Sequence, residues 1–292
     1  MRINTNVSSL VAQEANTNTN RSTSSSLEKL SSGLRINKAS DDASGLSIAD
    51  KLRTQANGLN QAVANGNSAV TLTQIADKAM AEQSNILDII KQKLIQAGTA
   101  TTSAEGIEAI GKDIGKLIDQ VNNIASQTTY NGTTLLQGAS AGDSAAALTF
   151  QMGTTSSDTI KTTAGVQANT SGMATLGTAV SAAATAWGTT APTSAADAQG
   201  SARLMLKNVD SALTKLNGWR ADFGSTQNQL ESSIRNLMTQ VTNTKAAESV
   251  IRDVDYAQES ANFNKQNIIA QAGTYAISQA NAISQNVMRL LQ

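Results

Sequence analysis

Ile268-Ile269-Ala270-Gln271-Ala272-Gly273-Thr274-Tyr275-Ala276-Ile277-Ser278-Gln279-Ala280-Asn281-Ala282-Ile283-Ser284-Gln285-Asn286-Val287-Met288-Arg289-Leu290 decides the fold class. Within it Ile269, Ala272, Ala276, Ala280, Ile283, Val287 and Leu290 fall at spacings of three and four, the seam of a coiled coil. The seam does not fade into polar residues before Leu291, so the expectation is that something outside this helix covers it. The chain is therefore read first as one that assembles.

Composition narrows the architecture. Of 292 residues 40% are apolar but only 3% aromatic, so buried surface must come from Leu, Ile, Val, Met and much Ala. Such residues suit thin helix-to-helix seams better than a thick globular core. A single Pro, Pro192, leaves almost the whole chain free of helix breakers and permits very long helices. Basic and acidic residues balance at 22 each, with no basic stripe interleaved with aromatics, so nucleic acid is not an expected partner. The Ala-rich stretch from Ala179 to Trp187 is far shorter than the roughly 18 residues that cross a bilayer, so no membrane insertion is expected either. The polar run after Met1-Arg2-Ile3-Asn4-Thr5-Asn6 lacks the apolar core of a secretory signal, and export by another route is expected.

Moving outward along the chain, an apolar stripe begins at Val7, Leu10 and Val11 and returns at Leu27, Leu30 and Leu34. Between them Asn16 to Ser26 consists of poor helix formers that compete for backbone hydrogen bonds, and alone this segment is expected to be disordered. Ser40, Asp41 and Asp42 are N-cap candidates for the next segment. Its seam runs Leu52, Ala56, Leu59, Val63, Gly66, Val70, Thr73, Ala76, Met80, Gln83, Leu87, Ile90, Leu94, Ala97, a helix of roughly 75 Å at 1.5 Å per residue, stopped at Gly98. Thr102-Ser103-Ala104-Glu105 has capping-box spacing for a third helix with Ile107, Ile110, Ile114, Leu117, Val121 and Ile124 as its seam.

Asn131-Gly132 marks a turn, after which the pattern changes. Leu148, Phe150 and Met152 alternate, Thr154 to Asp158 reads as a turn and Thr159 to Thr162 as a return strand, giving one hairpin. Residues 163–193 are Gly-, Ala-, Ser- and Thr-rich and the least regular part of the chain. Helix resumes after Pro192 at Ser194-Ala195-Ala196-Asp197 and follows Leu206, Val209, Leu213, Leu216, Arg220, Phe223, Gln227, Leu230, Ile234, Leu237 and Val241. The two polar members, Arg220 and Gln227, are read as local packing features that set register.

The missing chemistry is equally informative. There is no His and no Cys, which removes the commonest general base, the Ser/His/Asp triad, the thiol nucleophile and the usual zinc ligand sets. The chain is expected not to be an enzyme and to need no cofactor or metal. Asp41-Asp42 and the pair Asp253 and Asp255 sit at predicted helix boundaries, where capping explains them.

Leu30-Ser31-Ser32-Gly33-Leu34-Arg35-Ile36-Asn37-Lys38-Ala39-Ser40-Asp41-Asp42-Ala43-Ser44-Gly45-Leu46-Ser47-Ile48-Ala49-Asp50 closely resembles the N-terminal signature of bacterial flagellins. Ile251-Arg252-Asp253-Val254-Asp255-Tyr256-Ala257, Gln271-Ala272-Gly273-Thr274, Ala280-Asn281, Gln285-Asn286-Val287 and Leu290-Leu291 look like the matching C-terminal signature. The resemblance covers roughly residues 1–140 and 200–292. It implies a mainly α fold, a long antiparallel helical coiled-coil rod with one small β-hairpin region. Residues 1–41 with 254–292 would form the inner helical pair, D0, and 42–253 the outer rod, D1, with the hairpin and surface segment at 146–193 and no separate D2 or D3 domain.

The same resemblance implies the function and the partners. The subunit would self-assemble into the flagellar filament outside the cell, after export by the flagellar apparatus with its chaperone, and would meet the filament cap and the hook-filament junction proteins. The junction protein itself is the close alternative, and a secreted coiled-coil effector or adhesin the more distant one. Val7, Leu10, Leu27, Leu30 and Leu34, with Ile269, Ala272, Ala276, Ala280, Ile283, Val287 and Leu290, are the expected assembly residues, the terminal seam pairing with the N-terminal helix around Leu27 to Leu34 and with neighbouring subunits. In members detected by the innate receptor TLR5 the first long helix carries an Arg-x-Arg-Glu-Leu stretch; the aligned positions here are Ile89, Ile90, Lys91, Gln92 and Lys93. Ile and Lys do not replace bidentate Arg contacts, so weak or absent activation is implied. Thr154, Thr155, Ser156, Ser157, Thr162, Thr163, Thr170 and Ser171 are candidate O-glycosylation sites, as found on exposed loops of some flagellins.

Overall fold

The computed structural model describes residues 5–138, 143–163, 165–173 and 195–290, with side chains at all of these but 195–198, 284 and 287–290. Among them are five helices: α1 (Val7–Ser32), α2 (Ala43–Ala97), α3 (Ala104–Gln127), α4 (Ala195–Arg252) and α5 (Tyr256–Leu290). Two antiparallel hairpins lie between α3 and α4: β1 (Thr129–Tyr130) with β2 (Thr133–Thr134), and β3 (Thr149–Gln151) with β4 (Thr159–Lys161). Ser194 and most of the irregular segment 163–193 lie outside the described residues. The chain groups into two compact units, Met1–Asn57 with Val241–Gln292, and Gly58–Gln240. The expected D0 and D1 boundaries at 41/42 and 253/254 fall in the linkers between α1 and α2 and between α4 and α5.

In the Gly58–Gln240 unit the core is made of helix seams, as the composition demands. On α2, Thr73, Ala76, Met80, Gln83, Leu87, Ile90, Leu94 and Ala97 are all buried; nearer its start Ala62 and Ala69 share that place with Leu59, while Val63 and Val70 are half-buried. On α3, Ile107, Ile114, Ile118, Val121 and Ala125 are buried, with Ile110, Leu117 and Ile124 packed against the same core. On α4, Met205, Val209, Ala212, Leu216, Phe223, Leu230, Ile234 and Leu237 are buried. Alanine at so many shielded positions lets the helices approach closely, which dispersion rewards only at short range. Arg220 and Gln227 are local features: the Arg220 Nε bonds the Asp77 carboxylate on α2 at 2.9 Å, and Gln227 donates to Glu231 one turn on.

The helix ends follow the expected chemistry with one shift. Asp42 caps α2 by accepting from the Gly45 N–H at 2.9 Å, and Asp255 caps α5 by accepting from Ala257 and Gln258. At α3 the cap is Ser103, which accepts from Gly106, and not the first member of the expected box: Thr102 turns its hydroxyl to the Gln96 carbonyl at the end of α2. The expected hairpin forms with Phe150 opposite Ile160. A second one, unanticipated, is built on Asn131-Gly132, whose φ values of +48° and +80° are those of a tight two-residue turn that matches strand twist.

Gln83 joins these parts. It is fully buried, and its Nε2 donates to the Val121 carbonyl of α3 at 3.0 Å and to the Ala168 carbonyl at 2.7 Å. One side chain thereby ties α3 to the segment after β4, giving the Ala168 carbonyl a donor and adding a second bond to the Val121 carbonyl, which already accepts within the helix. Gln83→Met keeps the volume and removes the donors. It is expected to lower the stability of this unit by about 1 kcal/mol, the Ala168 carbonyl left unpaired costing about 1 to 3 kcal/mol against the relief of the unpaired Gln83 oxygen; guanidinium unfolding followed by circular dichroism measures it.

Candidate assembly surface

Helix α1 exists despite its Asn-Ser-Thr run because the hydroxyls do not escape. Thr17, Thr19, Thr23 and Ser24 each donate to the carbonyl four residues earlier at 2.9 to 3.0 Å, which satisfies them within the helix. Asn6 caps the start by accepting from Ser9, and Gly33, at φ +73°, ends it with its N–H on the Lys29 carbonyl. The segment expected to be disordered on its own is thus helical where it lies along α5.

The two helices run antiparallel, fixed by contacts at both ends of their overlap. The Asn6 amide donates to the Ala280 carbonyl at 3.1 Å, and Asn16 sits over Gly273. The shielded positions include Ser9, Ala12, Asn16, Thr19, Thr23, Ser26 and Leu30 on α1, with its cap Asn6, and Phe263, Gln266, Ala270, Gly273, Ile277 and Ala280 on α5. The inner seam is therefore mostly small or polar. Phe263, Ala270 and Ile277 recur every seven residues, a signal in the sequence that the stronger Ile269 register hides.

Apart from Leu30, Phe263 and Ile277, the large apolar side chains face the other way. Val7 is 61% exposed, Leu10 55%, Leu27 56%, Ile269 45% and Ile283 56%, and Val11, Ile268 and Tyr275 join them. Ala272 and Ala276 are exposed too, Ala280 and Leu34 are half-buried, and the side chains of Val287 and Leu290 lie outside the described residues. This corrects the expected pairing: within one subunit the Ile269 seam does not pack on Leu27 of α1. The intrachain seam is displaced by a residue, to the face where Gly273 admits Asn16 closely. The outcome is a two-helix pair with an unusually large apolar face left in water.

Backbone hydrogen bonds knit the two linkers behind this pair. Leu34 and Asp253 form an antiparallel bridge; the Val254 N–H donates to Gly33 and the Arg35 N–H to Arg252, and the Arg35 guanidinium reaches the Ile251 carbonyl at 2.6 Å. Asp41 accepts from the Asn37 and Lys38 N–H groups, and those backbone donors hold its carboxyl below the usual carboxylate range. Lys38 pairs with Glu28 at 2.7 Å, which raises its pKa.

The remaining sequence candidates are placed as follows. Ile90 is a core residue; Ile89 and Gln92 are exposed; Lys91 and Lys93 are engaged by Asp210 at 2.6 Å and Asp113 at 2.9 Å, the latter contact lowering the Asp113 pKa. Of the hydroxyl candidates, Thr154, Thr155, Ser156, Ser157, Thr163 and Ser171 are exposed and Thr170 is half-buried, bonded to Asn122. Thr162 is buried, and its hydroxyl accepts from the Leu148 N–H, which removes it from the accessible set. Among the described residues no group of three or more acidic residues is placed to hold a metal, and no helix is long and apolar enough to cross a membrane.

A chain whose ends pair through a thin polar seam and turn their apolar residues outward belongs to the class of self-associating structural proteins. The bacterial flagellin N-terminal helical region matches residues 3–141, and the bacterial flagellin C-terminal helical region residues 206–291. Flagellin of Bacillus subtilis (strain 168) is 36% identical over 310 residues, and the flagellar filament 33 kDa core protein of Treponema phagedenis 35% over 297, each alignment spanning 100% of both chains. Flagellin B of Helicobacter pylori (strain ATCC 700392 / 26695) is 28% identical over 511 residues, covering 100% of this chain and 99% of that one. The crystal structure of Bacillus cereus flagellin aligns with a TM-score of 0.48 at 27% identity, over 63% of this chain and 94% of that chain. The chain belongs to the bacterial flagellin family, and as such is a structural subunit of the flagellar filament.

Gly33 tests the linker geometry. A Cβ there would lie 2.9 Å from the Tyr256 hydroxyl, and its φ lies in the left-handed region. Gly33→Ala is expected to cost about 1 to 2 kcal/mol from the backbone alone, plus the clash. Adding Tyr256→Phe recovers the steric part and leaves the rest; hydrogen exchange of the Arg35 and Val254 amides measures both.

Proposed function

We propose that the outward apolar face of α1 and α5 is the surface through which subunits polymerise, and that the chain ends fold fully only as neighbours cover it. The observation that carries this reading is the inversion of the terminal pair: Val7, Leu10, Leu27, Ile268, Ile269, Tyr275 and Ile283 are exposed while Asn16, Thr19, Thr23 and Gln266 are shielded. Leaving one large aliphatic in water forgoes about 1.5 to 3 kcal/mol, so seven or more such residues on one pair favour association strongly. Ordering segments of this length is costly, at about 1 to 2 kcal/mol per residue for the backbone, and assembly is where that cost is offset.

The subunit is exported by the flagellar apparatus, a route that a chain without disulfides suits, and a chaperone covers the apolar ends until they meet the growing tip. The filament cap and the hook-filament junction proteins are its other contacts. Residues 162–194 alone separate β4 from α4, too few for a further domain of about 50 residues or more, so D0 and D1 make up the subunit. Full-length similarity to filament core proteins favours the filament subunit over the junction protein.

Two outcomes follow. Ala276→Asp and Ile283→Asp are expected to raise the critical concentration for seeded growth at least about tenfold while helix content of the Gly58–Gln240 unit stays unchanged, since a charge desolvated in a packed face costs several kcal/mol; light scattering and electron microscopy read it, and normal filaments would refute the surface. For the receptor, Lys91 and Lys93 are tied to Asp210 and Asp113 and Ile90 is in the core, so the soluble monomer is expected to activate TLR5 weakly or not at all. A cell reporter giving full potency would end that reading.

A further inference from the structure

The inner seam of the terminal pair contains two groups that oppose its closing. The Asn16 Oδ1 and Gln266 Oε1 atoms, on opposite helices, are shielded from solvent and meet no hydrogen-bond donor. Asn16 is pressed against Gly273, where even a Cβ would lie 3.2 Å from its oxygen. Around these amides the α1 side of the seam is Ser9, Ala12, Thr19, Thr23 and Ser26, which bury little apolar surface, and the hydroxyls of Thr19 and Thr23 are already turned to their own helix. A buried acceptor deprived of water loses the hydration it had in the open chain. The seam therefore rests its attraction on a few apolar residues, Leu30, Phe263, Ala270 and Ile277, and carries two desolvation penalties, while Val7, Leu10, Val11, Leu27, Ile268, Ile269 and Ile283 face outward.

We propose that Asn16 and Gln266 act as a brake on folding of the chain ends, holding the α1–α5 pair open in the isolated subunit and letting it close when outward contacts outweigh the two unpaired amides. The inference rests on the filament reading above and names the side chains that enforce the coupling. Polar residues at seam positions of coiled coils lower stability and restrict register in the same way. Aliphatic residues of similar size at these positions release the brake.

The test uses the purified full-length monomer at a dilution where it does not polymerise. In the wild type, trypsin is expected to cut rapidly at the exposed Arg21 of α1 and Lys265 of α5. In Asn16→Leu with Gln266→Leu these cleavages are expected to slow about tenfold or more, since each unpaired buried group removed shifts the pairing equilibrium by about that factor. Asn16→Ala with Gln266→Ala, which adds no bulk, is expected to slow them in the same direction and guards against a Leu pair that does not fit. The control is Gln13→Leu with Gln279→Leu, the same chemistry on exposed positions. Wild-type ends that already resist trypsin, amide-free variants cut at the wild-type rate, or equal protection by the control each overturn the proposal. Growth of wild-type protein on filament seeds is measured in parallel: its failure counts against the filament reading, and slowed cleavage in the variants would still uphold the brake.

Discussion

A helix can turn its wide apolar stripe to one side only, and this chain makes opposite choices with it in its two units. In the Gly58–Gln240 unit the stripes of α2, α3 and α4 point inward, and Met80, Leu87, Ile90, Leu94, Ile107, Ile114 and Leu216 are almost wholly removed from water. In the unit formed by the chain ends the stripes of α1 and α5 point outward, and small or polar residues are left to face each other. The first arrangement is self-sufficient. The second leaves Val7, Leu10, Val11, Leu27, Ile268, Ile269 and Ile283 exposed, and that asymmetry is what the proposed assembly surface rests on.

Both arrangements depend on economy of side-chain size. With so few aromatics, close approach of helices must come from Ala and Gly: Ala76, Ala97, Ala125, Ala202 and Ala212 sit at zero exposure in the core, and Gly273 receives Asn16 in the terminal pair. The polar groups such thin seams must accommodate are met in different ways. Gln83 donates to a carbonyl of α3 and to one of the segment after β4, and Arg220 meets Asp77 at a half-exposed edge. The side-chain oxygens of Asn16, Gln266 and Gln83 alike meet no donor, but the Gln83 amide also ties two segments together, and that difference separates a polar residue that locks a fold from one that holds it back.

Much of this was legible in the residues. The period of three and four from Thr73 to Ala97 names buried positions throughout, because a long helix packed along its length has a single face to hide; on α3 it found Ile107, Ile114 and Val121 but missed Ile118 and Ala125. Caps at Asp42 and Asp255 were equally plain, as was the hairpin at Phe150 and Ile160. What pattern alone misplaced was the partner of the terminal seam. Hydropathy says that Ile269, Ala276 and Ile283 share a face but not what lies against it, and the intrachain contact went to the adjacent, less apolar face where Gly273 permits close approach. Asn131-Gly132 was read as a turn but its strands were too short to show alternation, and Thr162 looked like any other threonine of a loop until its hydroxyl was found bonded to Leu148.

The hydroxyls of α1 carry one more consequence. A serine or threonine on a helix surface ordinarily holds water, and stripping that water away is unfavourable when the helix becomes enclosed. Thr17, Thr19, Thr23 and Ser24 have each turned their proton to the backbone of their own helix, so the middle of α1 presents methyls and satisfied oxygens where its sequence advertises polarity. At those four positions the helix loses less on being covered than its residue names suggest, so a stretch that looks made for solvent throughout is so only at its amides and at Arg21.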